Sequence, residues 1–90
     1  MDRPLSDAAV IAALARAVVL LNGDRQVDAG RQPITMTGTE GAATFGPATT
    51  ADWEFDGAML LGDVGPLKYI PLDRTLVRVG QEYRLEIELT

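Results

Sequence analysis

The residues best placed to do chemistry are Asp52, Glu54, Asp56 and Asp63. Counted from Asp52, oxygen-bearing side chains fall at positions 1, 3 and 5, with Gly57 at 6 and Asp63 at 12. That is the ligand spacing of a calcium-binding loop. Three features oppose such a loop. Position 3 is a Glu, and position 12 is an Asp where a longer, bidentate Glu is needed. Trp53 and Phe55 alternate with the acids, which is the period of a strand. Gly62 and Pro66 follow closely, so no helix can flank the segment. The spacing reads better as a strand with aromatic side chains inward and carboxylates in water, and no metal is expected. Asp52, Glu54 and Asp56 then form an acidic row that a basic protein could meet.

Other catalytic constellations are thin. The chain has no His and no Cys, which removes the commonest general base, thiol nucleophiles, disulfides and the usual zinc ligands. Ser6 is the only serine and has no base to activate it; a helix cap explains it better. Lys68 and Tyr69 are neighbours without a pocket or further partners. Gly62-Asp63-Val64-Gly65 has GxxG spacing but no basic flank and no following helix, so it implies neither phosphate nor nucleic-acid binding. No catalytic residue and no cofactor is expected.

Charge placement points the same way. Net charge is −5, and residues 32–72 carry Glu40, Asp52, Glu54, Asp56 and Asp63 against Lys68 alone. An acidic middle opposes binding to a phosphate backbone and suits solubility or a basic protein. The apolar run 8–21 follows Asp2 and Asp7 rather than a positive segment, and Arg16 interrupts it, so neither a secretory signal nor a membrane span is expected. The expected setting is intracellular or within a virion.

These residues must be positioned by a single small domain of 90 residues. A chain this short buries only about 60–65% of its unfolded surface, and without disulfides or metal the remaining stabiliser is association. The expected fold is α+β: one N-terminal helix packed on a small, mostly antiparallel sheet, sandwich or barrel. The helix is expected over about 6–21, capped by Ser6 or Asp7 and stopped by Asn22-Gly23. A connector over 22–33 leads to a β-rich region over 34–90. Val10, Leu14, Ala17, Val18 and Leu21 make one helical stripe, yet Ile11, Val19 and Leu20 lie off it, so the helix has almost no polar back. Ala13, Arg16, Ala17 and Leu20 are therefore candidate contacts with a partner chain. Arg16 either lays its stem along the surface or pairs with a carboxylate of that chain.

In the β region, short strands are expected over 34–37 and 42–45, followed by hairpin strands over 49–55 and 58–61 around Asp56-Gly57. Residues 67–72 read as an edge strand or an irregular segment because Pro71 interrupts them, and 75–79 and 82–90 flank a turn at Gly80-Gln81. Trp53 is expected in the core. Tyr83, Leu85, Ile87 and Leu89 alternate with Arg84, Glu86 and Glu88, so the last strand has one buried and one wet face.

Two functions follow. The first is a non-catalytic structural protein that binds other protein, forming a homo-oligomer or joining a larger lattice, as a bacteriophage capsid-decoration or head–tail joining component does. The second is an acidic regulator or inhibitor that docks on a basic protein as a nucleic-acid mimic. Direct nucleic-acid binding is not expected in either.

Overall fold

A computed structural model describes residues 7–89. One helix, α1 (Asp7–Leu14), precedes eight strands: β1 (Ala17–Asn22), β2 (Arg25–Gln26), β3 (Gln32–Pro33), β4 (Thr35–Thr37), β5 (Glu40–Phe45), β6 (Trp53–Gly62), β7 (Gly65–Val77) and β8 (Tyr83–Glu88). The first sheet has the order β2-β1-β6-β7, with β3 also on β1; the second is β4-β5-β8. Every pairing is antiparallel. The fold is α+β, and its two sheets are open rather than closed into a barrel. They share one core, to which the first contributes Val18, Leu20, Phe55, Ala58 and Leu60 and the second Ala43, Phe45, Leu85 and Ile87.

The helix is half the expected length. It ends at Leu14, and 17–22 is the strand β1. Ala8, Ile11, Ala12 and Ala15 face the core, a stripe at helical spacing that differs from the expected Val10–Leu14 one. Val18 and Val19 are β-branched and fit a pleated sheet better than a helix. β1 is also central, between β2/β3 and β6, so its inner residues are apolar on both faces and carry no alternation. Asn22-Gly23 does not stop a helix. It leads into a two-residue hairpin turn, with Asn22 opposite Arg25 and Gly23 at φ 65°, a conformation glycine adopts without steric cost. The cap expected of Ser6 or Asp7 lies outside the described residues and side chains.

Asp56-Gly57 does not turn either. β6 runs straight through it, and the hairpin closes at Asp63-Val64. Gly57 is needed for close approach: a Cβ there would fall 2.6 Å from Cε1 of Tyr69, whose ring lies across the glycine from the neighbouring strand. The expected strands 67–72 and 75–79 are one strand, β7, at the edge of the first sheet. Between the pairs Phe55–Thr75 and Gly57–Pro71, β6 has one residue and β7 has three, so β7 bulges at Leu72-Asp73-Arg74 beside Pro71. An edge bulge is where a strand tolerates proline.

The last strand follows its alternation: Leu85, Ile87 and Leu89 are buried, Tyr83 is half-buried, and Arg84, Glu86 and Glu88 are exposed. Trp53 and Phe55 are buried as the alternation in β6 requires. The chain crosses between sheets at Ile34, whose amide donates to the Arg16 carbonyl at 3.2 Å.

Candidate functional site

Asp52, just before β6, and Glu54 and Asp56 on it project away from the core, but their carboxylates have partners within the chain. Asp52 Oδ1 accepts a hydrogen bond from the Val79 amide at 2.9 Å. Glu54 lies 3.1 Å from Arg74 Nη1, and Asp56 lies 3.7 Å from Nη2 of the same guanidinium. Asp56 Oδ1 also accepts from the Gly23 amide at 3.0 Å. The bulge in β7 brings Arg74 to these acids. The ion pairs are exposed, so each contributes only about 0–1 kcal/mol. The row is thus a set of tethers between β6, the β1–β2 turn, β7 and the segment after β7.

Asp63 does not join this row. It lies just past the far end of β6, about 36 Å from Asp52 at the usual rise per strand residue. Its carboxylate is 3.9 Å from Arg16 Nε. The four acids therefore do not surround a common point, and among the described residues no group of three or more acidic side chains is disposed to hold a metal ion. Lys68 and Tyr69 are adjacent on β7 and project to opposite faces of a strand.

The helix-based candidates divide. Leu20 is fully buried and Ala17 is 6% exposed; both belong to β1 and neither can meet a partner. Arg16 caps the helix end: its Nη1 donates to the carbonyls of Ala13 and Ala15, each at 3.2 Å. Ala13 is exposed, and it shares the outward face of α1 with Val10, 38% exposed, and Leu14, 50% exposed. Positions 10, 13 and 14 are neighbours on a helix surface. Residues 8–15 contain only Ala, Val, Ile and Leu, so α1 is apolar on the face that meets the core and on the face that does not. Val10 and Leu14, which the sequence reading placed in one helical stripe with Ala17, Val18 and Leu21, are exposed on this outward face. The absence of a polar back signalled an outward apolar face but not which residues form it.

The outer face of the second sheet carries an open groove of about 730 Å³ whose lining includes Thr35, Thr37, Ala42, Glu40, Glu86 and Glu88. Glu40 and Glu88 stand directly opposite each other on β5 and β8. Among the described residues no ion pair involves either of them, while Glu86 is held by Arg84 at 2.7 Å.

Comparison with protein-family models, curated proteins and solved structures finds no match to this chain.

Proposed function

We propose that this chain is a non-catalytic structural protein that assembles with copies of itself or onto a larger protein lattice. The observation that carries the reading is the outward face of α1, where Val10, Ala13 and Leu14 stand in solvent with no polar side chain among them. An apolar helix face is stabilised by cover from another protein. A small virion component of a bacteriophage, decorating a capsid or joining head to tail, is a protein of this size and character. The alternative, an acidic protein docking on a basic one, is less well supported, because Asp52, Glu54 and Asp56 already have partners inside the chain.

The test is the mass in solution of the wild type and of Ala13→Glu, with circular dichroism as the control for folding. The expected result is a wild type heavier than the 9.6 kDa chain and a folded Ala13→Glu of lower mass. A wild type that sediments as a 9.6 kDa species at every concentration removes the self-assembly reading.

A further inference from the structure

We propose that β8 is a second contact surface, where two copies of the chain join their second sheets edge to edge about a twofold axis through Glu86. This rests on the self-association proposed above but on a different surface from α1.

The strand edges are not equivalent. At one edge of the first sheet, β7 is broken by Pro66, Pro71 and two shifts of register. At the other, β2 and β3 are two residues each and β3 contains Pro33. β4, an edge of the second sheet, has three residues. Prolines, bulges and short length are the usual means by which an edge avoids pairing with another chain. β8 has none of them: six residues pair with β5 without a shift.

Among the described residues nothing pairs with the other edge of β8, which presents backbone groups in regular order. The Leu89 amide donates to the Thr39 carbonyl at 2.8 Å, so residue 89 points toward β5. Alternation then turns 83, 85 and 87 the same way and leaves the amides and carbonyls of Arg84, Glu86 and Glu88 facing outward. A second β8, antiparallel and centred on Glu86, meets these groups with its own. It pairs 86 with 86 and 84 with 88 on both sides of the axis.

That register sets two opposite-charge pairs, Arg84 with Glu88 on each side of the axis, against one like pair, Glu86 with Glu86, in which each carboxylate keeps the Arg84 of its own chain. Each Arg84 falls directly opposite Glu88 of the other copy. Glu88 is the residue that faces Glu40 of β5 and, among the described residues, has no ion pair, and like charges directly opposite destabilise a sheet. The incoming Arg84 completes that row. Shifting the centre to Leu85 would pair Arg84 with Glu86 twice but also set Glu82 opposite Glu88 twice, so the Glu86-centred register carries one like-charge pair fewer and is preferred. The product is one continuous sheet of six strands, β4-β5-β8 and its twofold mate.

Glu86→Pro tests the pairing directly. It removes an amide that points away from β5, so the ladder within the chain is untouched. Expected results are a wild type heavier than a dimer and a Glu86→Pro protein that keeps its circular dichroism but sediments as the smaller assembly held by α1 alone. Arg84→Glu should weaken the dimer about tenfold, a loss matching two cross-strand ion pairs, and Arg84→Glu combined with Glu88→Arg should restore it. The chain lacks cysteine, so Glu86→Cys should cross-link to a dimer under oxidation while Glu40→Cys should not; this decides the matter if Glu86→Pro fails to fold. A dimer dissolved by Ala13→Glu and untouched by Glu86→Pro overturns the β8 pairing and leaves the helix contact standing. The converse supports β8 and removes the helix contact. A wild type monomeric at every concentration overturns both.

Discussion

The Asp56 carboxylate accepts a hydrogen bond from the amide of Gly23, tying the β1–β2 turn to the middle of β6. The contact is at the surface, so its net worth is about 0.5–1.5 kcal/mol. Asp56→Ala should lower stability in urea titration by about 1 kcal/mol, because the Gly23 amide loses its acceptor. Asp56→Asn keeps an acceptor oxygen and loses only the exposed pairing with Arg74, so it should cost a few tenths, roughly the worth of a surface ion pair. Equal losses in the two variants would show that the charge, not the hydrogen bond, matters.

Ala13 and Ala17 should respond oppositely to the same substitution. Ala13→Glu stays on the outward face of α1, and at concentrations low enough to dissociate both proteins its stability should lie within about 0.5 kcal/mol of wild type. Ala17→Glu places a carboxylate in the sheet between Pro33 and Leu61. It should cost about 2–3 kcal/mol or more, roughly 10–20 °C in melting temperature for a domain this small. Thermal unfolding of both proteins checks the pair.

The faces of β8 should differ in the same way. Leu85→Ala and Ile87→Ala remove buried aliphatic groups and should each cost about 2–5 kcal/mol. Glu86→Gln alters an exposed pair with Arg84 and should change stability by less than about 1 kcal/mol. Denaturant midpoints rank the three; Glu86→Gln as the most damaging would reverse the assigned faces.

Tyr83 supplies an alkaline signature. Burial raises the pKa of its hydroxyl above the ordinary value of 10.0. The unfolded chain therefore releases this proton at lower pH than the folded chain does. The associated stability is complete below pH 10.0 and is lost as pH rises through the folded value. Tyr83→Phe keeps a ring beside Phe55, 4.8 Å away between centroids, and has no proton to release. The stability difference between wild type and Tyr83→Phe should be constant below that pH and shift against the wild type above it. A difference that stays constant into strong alkali would sink this assignment.

What was legible in the sequence followed from contrast between faces. β8 shows it in every residue, and Trp53 and Phe55 alternate with Asp52 and Glu54 clearly enough to orient β6. β1 has no such contrast: Val18 and Leu20 meet one side and Ala17 and Val19 the other, all apolar, and an apolar run of that length fits a buried helix equally well. Asp56-Gly57 carries the composition of a turn, but Gly57 answers to Tyr69, twelve residues on, and Asp56 to Gly23. Arg74 gave no local signal at all, since the bulge that sets it beside Glu54 and Asp56 exists only once β6 and β7 are paired. The candidate contacts divided for the same reason: Ala13 remained at the surface because α1 is short, while Ala17 and Leu20 went inside with β1.

The central place of β1 sets an order of events during synthesis. Ala17–Asn22 emerges early and finds β2 almost at once, but its long partner is the stretch Gly57–Leu61 of β6, about forty residues later. At the usual pace of translation, about 5–20 residues/s, that gap amounts to roughly 2–8 s. Throughout it, Val18, Val19, Leu20 and Leu21 have one edge satisfied and the other open, and neither side of the strand is covered by the second sheet. A segment among the most buried of the finished protein thus waits for seconds in solvent, where chaperones and neighbouring nascent chains compete for it.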